Sequence, residues 1–176
     1  MEVVFIRHTS VDVPRGICYG QTDVPLAATF PEEAAAVREK LEACRPFDAV
    51  YTSPLTRCTR LATYSGYPDA RRDARLMELN FGDWEMQPFS GIVDPRLGAW
   101  FDDYINNPAG GAESFRMQYE RFSGFMDELL RRPCRRVAVF THGGILIAAE
   151  VYAGLYPIEE AFTTQYPYGW VLPLEF

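Results

Sequence analysis

Residues 3–9 read VVFIRHT and residues 137–144 read VAVFTHGG, and these two stretches decide the fold. Each is a short, unbroken apolar run that stops at a histidine, and the chain contains only two histidines. Apolar runs of this length are typical of strands covered on both faces, as in a parallel sheet between helices. Because ligands of such sheets bind beyond the carboxyl ends of the strands, we expect His8 and His142 to face each other across a binding crevice.

The rest of the chain extends this pattern. A third run, DAVYTS at residues 48–53, predicts another strand. Two further strands are expected at residues 73–79 and 169–172. Helical patterns separate the strands, and they cover residues 31–43, 54–64, 113–130 and 145–152. Strands that alternate with helices predict an α/β fold with a mostly parallel sheet.

Residues 87–112 interrupt the alternation. The stretch contains several prolines and glycines, with one possible short helix around residues 96–104. Loops of this length usually lie over one face of a domain and carry function. We therefore expect one domain over residues 1–176, with a lid-like insertion at about residues 87–112.

Composition limits the possible functions. A chain of 176 residues that is 48% hydrophobic can bury one sizeable core. Its formal net charge of -7 argues against nucleic acid and against an anionic membrane surface as partners. No apolar run approaches the roughly 20 residues that span a bilayer, and no signal-peptide pattern precedes the first strand. We expect a cytoplasmic protein.

The four cysteines are widely spaced, without a C-x-x-C pair or a nearby histidine. Neither a structural metal nor a disulfide framework is indicated, and we interpret them as free thiols.

Two arginines accompany the histidines. Arg7 precedes His8 at the end of the first strand, where a buried guanidinium needs an anion as its partner. Ser53 and Pro54 are predicted as the N-cap and first residue of the helix that carries Arg57, which places Arg57 near the same strand ends. One such residue alone is more often structural. Two histidines and two arginines at matching positions favour a shared anion site.

The two glycines after His142 offer a further place at a helix start where an anion could bind. Gly143 and Gly144 allow backbone to approach a ligand closely at the start of a helix, where free N–H groups favour anions. A compact cationic pocket of this kind suits a dianion, and a phosphoryl group matches it best. An acid is also needed, and RLMELNFGDWE at residues 75–85 offers Glu78 and Glu85. Spacing alone leaves both carboxylates open as proton donors.

Taken together, the motifs resemble the histidine phosphatase superfamily, which is also called phosphoglycerate-mutase-like. The resemblance covers nearly the whole chain, in order: RHT at 7–9, SPLTRC at 53–58, LMELNFGDWE at 76–85, GGAES at 110–114 and THGG at 141–144. It implies a three-layer α/β/α sandwich with a mixed sheet, a phosphohistidine intermediate, no cofactor and no metal.

The resemblance also implies roles for single residues. His8 matches the nucleophile, and Glu78 matches the proton donor, which favours it over Glu85. The residues that match the phosphate pocket are Arg7, Arg57 and His142. The remaining positions expected on the substrate side are Thr9, Gln21, Glu113 and Gly143.

Within the superfamily, GICYGQTDVPL at residues 16–26 resembles the α-ribazole-5′-phosphate phosphatase branch of the cobalamin pathway. Three positions depart from the common pattern. Thr9 and Met86 stand where relatives usually have glycine, and Cys58 stands where alanine is common. We expect Met86 to alter the entrance of the site rather than its chemistry.

Two alternative functions stay open. A phosphoglycerate mutase would use the same pocket, although mutases generally carry longer insertions than this chain has. A non-catalytic module would bind phosphoesters without hydrolysing them. The expected partner in each case is a small phosphorylated metabolite, and the sequence favours neither a monomer nor a homodimer. Tyr166, Tyr168 and Trp170 are predicted to belong to the core or an interface.

Overall fold

A computed structural model describes all 176 residues and contains one five-stranded sheet. The strands are β1 (Glu2–Arg7), β2 (Ala49–Thr52), β3 (Arg71–Arg72), β4 (Arg136–Thr141) and β5 (Val171–Glu175). Their order across the sheet is β3-β2-β4-β1-β5, and only β5 runs antiparallel to its neighbour. The expected mostly parallel, mixed sheet is confirmed.

The register of β1 against β4 places the two histidines together. Arg7 lies opposite Thr141, the last residue of β4, so His8 and His142 directly follow the two paired strand ends. The interior residues of both strands are fully buried because apolar side chains cover both faces of the sheet. This geometry explains why both runs are continuously apolar rather than alternating.

The chain has five helices, and four of them cover the two faces of the sheet. The five helices are α1 (Phe30–Glu42), α2 (Thr56–Tyr64), α3 (Arg96–Asp102), α4 (Phe115–Leu129) and α5 (Gly143–Tyr152). Side chains of α4 and α5 pack with Val3 and Phe5 on one face. Side chains of α1 and α2 pack with Val4 and Ile6 on the other. The three-layer α/β/α sandwich is therefore confirmed.

Two sequence expectations about strands need correction. Residues 73–79 do not form a strand, because the side chain of Asp73 accepts a hydrogen bond from the Arg75 N–H and starts a 3₁₀ turn at Ala74–Leu76. The strand in this region is the two-residue β3, which precedes the predicted stretch. The last strand begins at Val171, two residues later than expected, since Gly169 adopts a φ of +66° in the preceding turn.

The predicted cap of α2 is also wrong. The helix begins at Thr56 rather than Pro54, and its N-cap position is Leu55. Asp23 supplies the capping carboxylate from a distant loop and accepts the Thr56 N–H at 2.9 Å. Ser53 instead lies against His142, with 2.8 Å between its hydroxyl and Nε2 of that ring.

The predicted insertion packs beside the carboxyl ends of the strands. It contains the short helix α3, which the sequence indicated around residues 96–104, and a 3₁₀ turn at Phe89–Gly91, which it did not. Trp84 and Ile92 form a small separate core with Cys18 of the 16–24 loop. An aromatic cluster centred on Trp100, with Phe89 stacked on it, continues this core toward the sheet.

Candidate active site

A cavity of 690 Å³ opens beyond the carboxyl ends of β1 and β4. Its polar floor contains Arg7, His8, Arg57 and Glu78, which come from three different segments. Its wall is aromatic and consists of Phe81, Phe89, Trp100, Phe101, Tyr104, Phe115 and Phe162. The cavity thus joins a cationic end to an apolar end.

His8 is held as a neutral imidazole with one free nitrogen. Its Nδ1 lies 2.8 Å from the Thr9 carbonyl, which can only accept, so Nδ1 carries the proton. Nε2 keeps its lone pair and has no protein partner. Burial, and then the nearby charge of Arg57, lower the pKa of His8 well below its ordinary value of 6.5. The ring is therefore available as a nucleophile at neutral pH.

Arg57 is completely buried, and three of its five N–H groups are used by the protein. Nη1 donates to the Thr22 carbonyl at 3.0 Å, Nη2 donates to the Gly20 carbonyl, and Nε donates to His142 at 3.3 Å. One N–H on each terminal nitrogen is left. The guanidinium thus keeps a two-pronged donor for an anion in the cavity.

Arg7 is fixed by the C-terminal segment. Nη1 donates to the Tyr166 carbonyl, and the guanidinium lies 4.3 Å from the ring centre of Tyr168. Its Nε is buried without any hydrogen-bond partner. The guanidinium lies beside Gly143, where a Cβ atom would be in van der Waals contact with it at 3.4 Å. An unpartnered buried donor of this kind can bind an acceptor such as a phosphoryl oxygen.

His142 lies behind the cavity and does not line it. Its ring centre is 5.1 Å from that of His8, and the side chain is completely buried. Because Nδ1 accepts from Arg57, the proton is on Nε2, which donates to the Ser53 hydroxyl. Burial, and then the charge of Arg57, lower the pKa of this ring well below 6.5. His142 thus supports Arg57 and His8 from behind.

Glu78 projects into the cavity from the segment after Ala74–Leu76. Its Oε1 accepts the Leu79 N–H at 2.9 Å and the Gln118 side-chain amide at 3.0 Å. Its Oε2 accepts only the Gly144 N–H, at 3.2 Å. Oε2 therefore keeps a lone pair on which the carboxyl group can carry a proton.

Glu85 has a different role in the structure. Its carboxylate accepts backbone N–H groups from Gly20, Gln21, Thr22 and Phe81, together with the Thr22 hydroxyl. Burial raises its pKa, but these hydrogen bonds outweigh that effect and lower it. Glu85 stays ionised and fixes the loop whose carbonyl groups hold Arg57. These hydrogen bonds distinguish Glu85 from Glu78, whereas the sequence spacing alone left both carboxylates open as proton donors.

Four expected substrate-side residues do not line the cavity. Gln21 donates its side-chain amide to the Glu78 carbonyl at 3.1 Å. Glu113 pairs with Arg121 at 2.7 Å. The Thr9 hydroxyl is buried without a partner. Gly143 begins α5 beside Arg7.

Other residues near the cavity carry little sequence signal. Tyr19 and Tyr168 share a hydrogen bond of 2.7 Å between their hydroxyl groups, next to Arg57 and Arg7. Tyr168 was expected in a core or interface, but its ring lies 5.5 Å from that of His8. Of these residues, only Gln118 could have been noticed in the sequence, because it occupies an apolar position in the helical pattern of α4.

Met86 also differs from expectation. It does not line the cavity, and it adopts a φ of +62°, which glycine tolerates far better than methionine. The backbone at position 86 thus suits glycine, and the Met86 side chain takes no part in the cavity wall.

Neither a bilayer-spanning helix nor a metal-binding cluster occurs in the structure. None of the helices has the length and apolar character that a bilayer-spanning segment requires. No group of three or more His, Cys, Asp or Glu side chains is arranged so that it could hold a metal ion.

Comparisons with known proteins agree with this geometry. The model of the histidine phosphatase superfamily (branch 1) matches residues 3–176. No curated protein matches the chain significantly. An alpha-ribazole phosphatase from Shigella flexneri has a similar structure, with a TM-score of 0.90, 22% identity, and coverage of 99% of this chain and 90% of that one.

Two further solved structures share the fold. A mycobacterial glucosyl-3-phosphoglycerate phosphatase has a TM-score of 0.82 at 24% identity, over 98% of this chain and 88% of that one. A protein from Thermus thermophilus has a TM-score of 0.78 at 25% identity, over 100% of this chain and 94% of that one.

Proposed function

The chain belongs to the histidine phosphatase superfamily, and from this we propose that it hydrolyses phosphomonoesters through a phosphohistidine on His8. One observation carries the proposal: a neutral imidazole with a free Nε2 shares a cavity with two arginines that have unused N–H groups. Glu78, in the same cavity, supplies the proton donor that the leaving group needs.

The first half of the reaction transfers the phosphoryl group to His8. Nε2 attacks phosphorus in line, and its lone pair forms the P–N bond. The bond to the leaving oxygen breaks with its electron pair on oxygen, which takes the proton from Glu78. Arg7 and Arg57 bind the equatorial oxygens, where charge develops in the transition state.

The second half restores the enzyme. Glu78, now ionised, accepts a proton from water as the water oxygen bonds to phosphorus. The P–N bond breaks, its electron pair returns to Nε2, and inorganic phosphate leaves. Two moderate barriers thus replace one high barrier. His142 contributes by keeping Arg57 and His8 in place.

The aromatic wall supports a substrate with a flat, apolar leaving group. α-Ribazole 5′-phosphate of the cobalamin pathway is the first candidate, because its benzimidazole base can stack on aromatic side chains. The 16–26 motif and the structural likeness to the Shigella flexneri enzyme also support this choice. We propose that the 87–112 insertion supplies much of this wall, through Phe89, Trp100 and Phe101.

The cavity favours hydrolysis of such a substrate over phosphoglycerate mutase activity. Arg7 and Arg57 are the only cationic residues that line it, and both lie at the phosphoryl end. A phosphoglycerate also carries a carboxylate, which would have to lie against the aromatic wall. Burial of an unpaired carboxylate there is costly.

A substrate panel tests the proposed function. We expect release of p-nitrophenol from p-nitrophenyl phosphate, and the highest kcat/KM for α-ribazole 5′-phosphate among metabolites that include sugar phosphates and phosphoglycerates. Phosphoryl exchange on 3-phosphoglycerate without phosphate release would instead show a mutase. Protection against heat by phosphate, with no p-nitrophenol released, would show a binding module.

Removal of divalent ions tests the metal-free mechanism. We expect EDTA to leave turnover of p-nitrophenyl phosphate unchanged, because Arg7 and Arg57 supply the positive charge at the phosphoryl group. The measurement is the initial rate before and after dialysis against EDTA. Loss of activity that Mg²⁺ or Zn²⁺ restores would contradict the proposal.

We also propose a cytoplasmic location, where all four cysteines, which are free in the structure, would stay reduced.

A further inference from the structure

Gln118 is an exception on the buried face of α4. The other buried residues of this helix are Phe115, Phe122, Phe125, Met126 and Leu129, at the spacing of one apolar stripe. Gln118 occupies the same stripe and is completely buried. A buried amide in an apolar position lowers stability unless both of its ends are hydrogen-bonded. A polar residue retained there calls for a functional reason.

Only one end of this amide has a partner. Nε2 donates to Oε1 of Glu78 at 3.0 Å, whereas the carbonyl Oε1 of Gln118 is buried without any hydrogen bond. Gly144 makes the contact possible, because a side chain there would lie 2.9 Å from the Gln118 carbonyl oxygen. The amide is thus pressed against the carboxyl group that we assign as the proton donor.

We propose that Gln118 positions Glu78 in both of its protonation states. Its N–H donates to the ionised carboxylate, as seen in the structure. When Glu78 is protonated on Oε2, Oε1 becomes the carbonyl oxygen of the carboxyl group and still accepts this N–H, so the carboxyl group keeps its orientation. This inference rests on the proposed function, since it requires Glu78 to gain and lose a proton in each cycle.

Glutamine suits this role because its uncharged N–H donates to a carboxyl oxygen whether the carboxyl group is ionised or protonated. In either state of Glu78 the N–H end of the amide is bonded and its carbonyl oxygen is not, so the amide is kept for its contact with Glu78 and not for stability. An apolar residue at position 118 would pack equally well but would leave Glu78 free to move. The buried amide is therefore expected to lower stability while improving proton transfer.

The test compares two leaving groups in Gln118→Met, which keeps the size of the side chain. p-Nitrophenoxide leaves without protonation, whereas the alkoxide of 2-phenylethyl phosphate needs a proton and still offers an aromatic ring to the wall. We expect kcat/KM to fall about tenfold for 2-phenylethyl phosphate and by less than about threefold for p-nitrophenyl phosphate. Because kcat/KM extends only to phosphoryl transfer, the shared hydrolysis step does not affect the comparison.

Three controls separate the possible outcomes. Glu78→Gln should show the same selectivity more strongly, with a loss of order 10²–10⁴ for the alkyl ester. If Glu78→Gln shows no such selectivity, Glu78 is not the proton donor, and the proposed function is contradicted before the role of Gln118 is tested. Gln118→Leu repeats the test in case methionine packs badly, and the Tm of either variant should equal or exceed that of the wild type. Gln87→Met, which removes an exposed amide outside the cavity, should change neither substrate.

An equal loss on both esters in Gln118→Met and Gln118→Leu, or no loss on either, would overturn the inference while Glu78→Gln remains selective.

Discussion

His8→Ala is expected to lose phosphatase activity by at least about 10⁴-fold while it remains folded. The loss is this large because Nε2 of His8 is the atom that we propose bonds to phosphorus, and no other unpartnered imidazole nitrogen lines the cavity. Folding should survive because the side chain lies at the end of β1, beyond the buried apolar residues that hold the sheet.

A second variant separates chemistry from packing. His8→Asn keeps an N–H near the Thr9 carbonyl and fills part of the space beside His142, but it has no group in place of Nε2. Its turnover should be as low as that of His8→Ala, with a Tm closer to that of the wild type. The measurement is steady-state phosphate release together with thermal unfolding.

Trapping of the intermediate gives an independent check. Wild-type protein quenched during turnover of a ³²P-labelled ester should carry a label that is stable to alkali and lost in acid, as expected for phosphohistidine. Neither variant should carry it. Wild-type-like turnover by His8→Ala would exclude His8 as the nucleophile.

The central part of the site can be predicted from the sequence because it depends on sheet topology. Strands that read as continuous apolar runs pair in parallel, and parallel pairing brings their carboxyl ends to one edge. His8 and His142 therefore converge although they lie near opposite ends of the chain. Arg57 follows by the same reasoning, even though the predicted cap of its helix is wrong.

The contacts of single carboxylates cannot be predicted in this way. Glu78 and Glu85 both follow the same short segment, and only the three-dimensional path of the 20–22 loop decides that Glu85 is surrounded by N–H groups. The capping of α2 by Asp23 depends on the same loop. Such contacts join segments that are far apart in the sequence, and the hydrophobic pattern of each segment does not show that the two meet.

The prediction of secondary structure near the site fails for a related reason. The apolar residues of 73–79 suggest a strand, but the local hydrogen bond from Arg75 to Asp73 favours a 3₁₀ turn. Gln118 is the opposite case, because its signal is visible in the sequence as one polar residue in an apolar helical stripe. Its meaning becomes clear only when Glu78 is found beside it.

Arg57→Lys is expected to lower kcat/KM by about 10²–10³-fold. Lysine keeps the positive charge, but it cannot donate to Gly20, Thr22 and His142 while also presenting two parallel N–H groups to a phosphoryl oxygen pair. Affinity for inorganic phosphate should fall as well, since the same two N–H groups would bind the product. Arg57→Met, which removes the charge, should lose more on both counts.

The matched control is Arg60→Lys, one turn further along α2, where the arginine is exposed and does not line the cavity. Its kcat/KM and its inhibition constant for phosphate should equal those of the wild type. Because Arg57 also anchors the 20–22 loop, each variant needs a thermal unfolding curve, and the rates are compared well below the lowest Tm. If Arg57→Lys had the same kcat/KM and the same inhibition constant for phosphate as Arg60→Lys, the fully buried guanidinium of Arg57 would have only a structural role. Arg7 would then be the one arginine that binds the phosphoryl group.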